Sequence, residues 1–237
     1  MGSCTEKVCS EMGITREAQD EYAIKSYHKA RAAQESGFYN WEIVDVVETD
    51  NKGKEKRVSK DEECQKFIPE KFASLKPAFA KNGTITAANA SKLNDGACSL
   101  IIMAEDVAKE RGLKPLARII GYEDAEVAPI DFGIAPSKAI QRLLQRKGMT
   151  VKNVDYHEFN EAFSAVPLAN AKLLDIDIDR INVNGGAVAL GHPVGMSGAR
   201  IILTLINTLR QKNGTIGMAS ICNGGGGASA VMIERLN

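Results

Sequence analysis

Two reactive side chains near the end of the chain are framed by glycine. His192 sits in Gly-Gly-Ala-Val-Ala-Leu-Gly-His-Pro (185–193), and Cys222 opens Cys-Asn-Gly-Gly-Gly-Gly-Ala (222–228). An imidazole and a thiol suit nucleophilic or proton-transfer chemistry. Bare backbone beside them brings peptide N–H donors close to a substrate whose charge must be stabilised. Four successive glycines are hard to explain by packing, because glycine weakens a strand. A third residue, Asn160, lies in His-Glu-Phe-Asn-Glu-Ala-Phe (157–163) between an apolar run and a helical stretch. Its carboxamide could hold a water or a carbonyl, or simply cap a helix. Three corners, at 160, 192 and 222, meeting at one sheet edge would make a site.

The elements that must bring them there follow from periodicity. Residues 15–36 read as an amphipathic helix with Thr15 as N-cap, Glu17 in the first turn and Gly37 as the stop. Its stripe includes Ala18, Tyr22, Ser26, Ala30 and Ala33. A strand is predicted at 41–47, and the charged stretch 49–63 reads as a solvated loop. Farther on, apolar runs at 99–103, 117–121, 154–156, 215–221 and 228–234 alternate with helical stretches at 104–112, 136–147, 161–174 and 197–211. That alternation indicates an α/β layer structure. A strand is also expected just before His192, so that the histidine stands at a strand end opening onto a helix. The small-residue run Thr84-Ile85-Thr86-Ala87-Ala88-Asn89-Ala90-Ser91, with Asn94-Asp95-Gly96-Ala97, is either a packed turn or a loop against which a flat ligand such as a nucleotide lies.

Composition narrows the function classes. The chain has 237 residues with 30 basic and 30 acidic side chains, a net charge of zero. This lacks the basic footprint of a nucleic-acid binder. The apolar runs are too short to span a bilayer. Five cysteines with no Cys-x-x-Cys pair argue against a zinc site and a disulfide framework, and for a reducing compartment. The glycines at 185–191 do not follow the G-x-G-x-x-G spacing, which sets aside a dinucleotide-binding oxidoreductase.

Together the motifs resemble the thiolase family, and within it the acetoacetyl-CoA (acetyl-CoA acetyltransferase) type of the mitochondrial, potassium-dependent kind. Asn160-Glu161-Ala162-Phe163, Gly185-Gly186-Ala187 through Gly191-His192-Pro193-Val194-Gly195, and Cys222-Asn223-Gly224-Gly225-Gly226 carry the resemblance. Thr86 to Ser91, Asn94 to Ala97 and the opening Met1-Gly2 with Gly13-Ile14-Thr15-Arg16-Glu17 match as well. The resemblance implies a reversible Claisen condensation of two acetyl-CoA to acetoacetyl-CoA and CoA. It implies that His192 activates an acylated cysteine and contributes to an oxyanion hole that the water held by Asn160 completes. Cys222 would be the general acid/base, and the Gly224 N–H would bind the thioester oxygen in a second hole. Coenzyme A would meet Ser91 at the pantetheine and Tyr27, Lys66 and Lys71 at the nucleotide end. Tyr27, Ala87, Ala88, Ala90 and Val188 match the family's potassium site. No covalently bound cofactor is implied.

The implied fold is α/β. It comprises a loop domain at 1–92, the last strand and helix of an N-terminal α/β domain at 93–114, and a C-terminal domain at 115–237 with a mixed five-stranded sheet and helices on both faces. None of Cys4, Cys9, Cys64 or Cys98 sits in the nucleophile motif. The expectation is therefore a C-terminal portion that lacks the acylated cysteine and is inactive alone. A competing reading is a non-catalytic CoA-binding or oligomerisation module. The resemblance further implies homo-oligomers, tetramers in full-length relatives. A location in the mitochondrial matrix is expected, with the cytoplasm as the alternative.

Overall fold

The computed structural model describes residues 1–236. Helices α1 (Gly2–Met12) and α2 (Arg16–Glu35) come first. The α2 start is the predicted one: the Thr15 side chain accepts from the Ala18 N–H at 3.2 Å. At its end Gly37 adopts φ 77°, a left-handed conformation that glycine takes without strain. Helix α2 buries Tyr22, Ser26, Ala30 and Ala33, and also Gln19, Ala23 and Tyr27. The predicted strand at 41–47 is not formed. Phe38–Trp41 is a 3-10 turn, and β1 (Val46–Thr49) pairs with β2 (Glu55–Val58) in an exposed antiparallel hairpin. Four residues of the charged stretch read as loop, Glu55–Val58, are thus the second arm of that hairpin.

The short helix α3 (Glu105–Glu110) follows a segment without regular secondary structure, 91–104. The predicted strand at 99–103 is absent: Ile101 and Ile102 are 86% and 72% exposed, and no strand among the described residues pairs with the run. Apolar sequence alone does not make a strand without a ladder partner.

The sheet begins with β3 (Ala117–Glu126). Helix α4 (Ala135–Lys147) has Pro136 in its first turn, Arg146 and Lys147 in its last, and Gly148 at φ 62° as its stop. Next come β4 (Tyr156–Phe159), α5 (Ala165–Leu174), a one-turn helix α6 (Ala187–Leu190), α7 (Ser197–Gln211), β5 (Ile216–Cys222) and β6 (Gly227–Arg235). The strand order is β3-β6-β5-β4, with β4 and β5 parallel and the other pairs antiparallel. This is the expected mixed sheet, with four strands among the described residues rather than five. The fifth position holds a single parallel bridge, His157 to Ile181.

Helices cover both faces, as expected. On one side Ala139, Ile140, Leu143 and Leu144 of α4 pack on Met218, Ala230 and Met232. On the other, Ile201, Leu205 and Leu209 of α7 pack on Ala219 and Ile233. The alternation along β5 and β6 sends successive side chains to opposite cores. A third core joins Val8, Cys9 and Ile14 near the start of the chain to Phe132, Phe163, Val166 and Cys222. Packing is therefore continuous between the early helices and the sheet region.

Candidate active site

Strands β4 and β5 run parallel and end on the same side, which brings Asn160 and Cys222 toward one edge. Phe159 pairs with Ser220, and the Asn160 N–H donates to the Ser220 carbonyl at 2.9 Å. The ladder thus extends one residue past β4. Cys222 ends β5 opposite Ala228, and it packs with Ala162 and Phe163.

His192 reaches this edge by a different route from the one predicted. No strand precedes it. Gly185 takes φ 85° where an added Cβ would lie 2.7 Å from the Ser26 carbonyl oxygen of α2. The chain then makes the single turn α6, and the His192 N–H donates to the Lys92 carbonyl at 2.7 Å. The ring has two contacts. Asn160 Nδ2 lies 3.2 Å from Nε2, and Ser197 Oγ lies 2.6 Å from Nδ1. Two of the three predicted corners therefore touch. Among the described residues no hydrogen bond joins Cys222 to His192.

The acceptor and donor inventory around these residues is uneven. Asn160 Oδ1 is buried with no partner, an acceptor left for a donor from outside the chain. At the glycine loop, Asn223 takes the N–H groups of Gly225, Gly226 and Gly227, through its side chain or its carbonyl. The exposed Gly224 N–H meets no acceptor among the described residues. An added Cβ at Gly224 would stand 3.3 Å from Met1 Sδ, so the first residue of the chain lies against this loop.

Electrostatics set the resting protonation states. Burial, with the neighbouring Arg200 charge, holds the His192 pKa below its ordinary value, so the ring is neutral at pH 7. Arg200 is itself anchored, its Nη1 donating to the Gly191 carbonyl at 3.0 Å. Burial pushes the Cys222 thiol up to about 12. That is opposite to the depressed or matched value expected of a thiolate base: the apolar surroundings outweigh any backbone dipole.

Several residues without a role in the sequence reading hold the site. Glu161, fully buried, accepts from Tyr22 Oη (2.8 Å), Ser26 Oγ (2.9 Å), Asn182 Nδ2 (2.7 Å) and the Val188 N–H (3.0 Å). The i to i+5 spacing of His192 and Ser197 was visible but carries no general meaning. Only the fold makes it a contact.

The expected coenzyme contacts are dispersed along the flank. Ser91 sends both its N–H and its Oγ–H to the Ala162 carbonyl, each at 3.0 Å. This ties its loop to the Asn160 segment. Lys66 and Lys71 are exposed, Lys66 being paired with Glu62 and Glu63. Tyr27 is buried and stacked on Phe67 at 4.7 Å. It shares a cluster with Ala88 and Val188, and no donor reaches the Ala87, Ala88 or Ala90 carbonyl among the described residues. Free carbonyls of this kind suit a hard cation. Yet Lys92, overlooked in the sequence, holds its ammonium 5.6 Å from the Tyr27 ring centre and 3.1 Å from Glu63 Oε2. Burial lowers its pKa, but Tyr27 and Glu63 outweigh that and raise it overall, so the ammonium is charged. A potassium ion coordinated by Tyr27 would meet that charge.

Comparison with known proteins gives these features a family. The model of the thiolase C-terminal domain matches residues 113–235, and that of the thiolase N-terminal domain matches 1–106. The chain belongs to the thiolase family. A Dictyostelium discoideum relative named "Probable acetyl-CoA acetyltransferase" is 56% identical over the whole chain, which covers 57% of that protein. The crystal structure of the Bacillus anthracis acetyl-CoA acetyltransferase superposes with a TM-score of 0.96 at 46% identity, covering 100% of this chain and 60% of that one. An Ascaris suum thiolase solved with coenzyme A gives 0.89 at 45% identity, covering 99% of this chain and 60% of that one. This thiolase chain therefore spans somewhat over half the length of these relatives. Relatives named mitochondrial (Bos taurus) and cytosolic (Gibberella zeae) are each 48% identical.

Proposed function

We propose that this chain supplies the proton-transfer half of an acetyl-CoA C-acetyltransferase site, working on acetyl-CoA and acetoacetyl-CoA. The observation that carries the reading is the Asn160–His192 contact at the edge where β5 delivers Cys222. His192, neutral and with Nε2 toward Asn160, suits a base for a thiol. The orphan Asn160 Oδ1 suits an ordered water, and the free Gly224 N–H suits a thioester oxygen. Cys222, protonated at rest, is suited to return a proton to the departing acetyl-CoA enolate in thiolysis. In the condensation direction it must first lose that proton. Ser91, Tyr27, Lys66 and Lys71 are read as the coenzyme A flank.

The division into a loop domain (1–92), a remnant of an N-terminal α/β domain (93–114) and a C-terminal domain (115–237) follows the motif blocks. Homo-oligomerisation is supported by the outer strand β3, which exposes Ile119 and Tyr122, and by the exposed apolar side chains Ile101, Ile102 and Leu116. Potassium is supported by the free alanine carbonyls and opposed by Lys92. A Tm gain in potassium over sodium at equal ionic strength decides for the ion, and equal Tm decides for the ammonium. The mitochondrial matrix is the compartment taken from Tyr27, while identity to the named relatives favours neither location.

The main experiment pairs calorimetry of the full chain with CoA and a thiolysis assay with acetoacetyl-CoA. The reading expects CoA binding that Tyr27→Ala or Lys71→Ala weakens. No binding overturns it. Binding that the Cys222→Ser and His192→Gln variants retain, with no turnover in any mixture supplying an acylated thiol, favours the non-catalytic CoA-binding module.

A further inference from the structure

An asparagine that precedes glycine is chemically labile, because a residue without Cβ leaves its own peptide nitrogen open to the Asn Cγ. The chain has four such pairs, at 82–83, 184–185, 213–214 and 223–224. Three of them hold the glycine nitrogen in a backbone hydrogen bond. Gly83 donates to the Ala80 carbonyl at 3.1 Å, Gly185 to Asn182 at 3.0 Å and Gly214 to Leu209 at 2.9 Å. Asn184 is also buried, with its amide donating to Thr208 Oγ1. The pair Asn223–Gly224 differs. Both residues are exposed, and the Gly224 N–H meets no acceptor among the described residues. Asn223 Oδ1 meanwhile accepts the N–H groups of Gly225 at 3.1 Å and Gly227 at 3.3 Å. Those two donors draw charge from Cγ and stand where a negative oxygen forms when that carbon is attacked.

We propose that Asn223 is a self-modification site, where attack by the Gly224 nitrogen on Cγ converts the asparagine to aspartate and isoaspartate with water as the sole co-reactant. The N–Cγ bond forms as the Cγ–Nδ2 bond breaks, and Nδ2 leaves as ammonia with the Gly224 proton. Water then opens the resulting succinimide. Opening at Cγ gives aspartate, and opening at the main-chain carbonyl gives isoaspartate, with the chain rerouted through the former side chain. No electrons change hands. Either product places a new carboxylate on the glycine loop that joins β5 to β6. Isoaspartate also adds a methylene to the backbone and so displaces the Gly224 N–H. The functional consequence rests on the reading of that N–H as a donor to the thioester oxygen: conversion then ends the life of the site. The modification itself is measured without turnover.

The test ages the full chain in mildly alkaline buffer, folded and in urea, and follows each Asn-Gly pair by fragment-ion mass spectrometry. Methyl transfer from labelled S-adenosylmethionine by an isoaspartate methyltransferase identifies the rerouted product. The expected result in the folded chain is loss of the amide at Asn223 while Asn82, Asn184 and Asn213 keep theirs. In urea, where the protecting backbone hydrogen bonds are gone, all four convert. Asn223→Gln, which carries its amide one methylene farther out, abolishes conversion at that position. A folded chain in which another pair converts first overturns the proposal, as does one in which Asn223 converts only in urea. Acetyl-CoA calorimetry on the aged chain separates the chemistry from its consequence. Binding that fades in step with conversion supports the thioester reading of Gly224. Conversion at Asn223 with unchanged acetyl-CoA binding leaves the modification standing and removes Gly224 from the site.

Discussion

The carboxylate of Glu161 accepts the Val188 N–H at 3.0 Å, which clamps the turn before His192 to the segment that carries Asn160. Three more donors from α2 and from Asn182 converge on the same two oxygens. Glu161→Ala strands four buried donors, each costing about 1–3 kcal/mol when unpaired. The expected outcome is severe destabilisation in urea titrations. A midpoint within experimental error of the unaltered chain would show that Glu161 is no clamp.

Cys222 should react slowly. Burial raises its thiol from the ordinary 9.0 to about 12, so little thiolate exists near neutral pH. Iodoacetamide followed by peptide mass spectrometry should label half-buried Cys4 well before Cys222. The linked stability runs in the same sense. The folded state holds this proton more tightly, so the contribution is whole below pH 9 and is lost as pH climbs toward 12. Early labelling of Cys222 at neutral pH contradicts both statements.

His157 predicts an acid slope. It is buried with an unpartnered Nδ1, and burial together with the Arg180 charge pushes its pKa down from 6.5 to about 4. The unfolded chain therefore binds the proton first as pH falls. The stability due to the neutral ring is complete above 6.5 and is lost between 6.5 and 4, on the order of 3 kcal/mol. His157→Phe should flatten that part of the stability curve. An unchanged slope would assign it to other groups.

Gly191 separates a steric requirement from mere flexibility. It sits at φ 82° with the Asn94 side chain where a Cβ would be, so Gly191→Ala should cost about 1–3 kcal/mol. It should also displace the His192 resonances. Gly195, where an added Cβ meets nothing, is the control and should accept alanine with little change in Tm.

What the sequence made legible is what local chemistry encodes. Thr15 and Gly37 bracket α2, Pro136 and Gly148 bracket α4, and the alternating runs that became β5 and β6 follow from side-chain periodicity. Legibility failed where a partner decides. Val46 and Val47 look like core strand but lie in an exposed hairpin, and the run at 99–103 has no ladder beside it. The approach to His192 looked like a strand, but Gly185 must pass close to α2, and the chain turns instead. Helix α1 was overlooked because no side chain caps it and its buried face is only Gly2, Thr5, Val8 and Cys9. At the site, the residue identities were readable and the contacts were not. Ser197, Glu161 and Lys92 acquire meaning only through neighbours distant in sequence or hidden by a turn.

The Asn160 N–H bond to Ser220 has one more consequence. It sets the offset between Asn160 and Cys222 by ladder register, which moves in whole-residue steps of about 3.3 Å and reverses the facing of every side chain at each step. No continuous adjustment of that spacing exists. Natural variation or engineering can reshape this edge from its loops, but the separation of its amide and its thiol behaves like the teeth of a ratchet, and the next tooth points the wrong way.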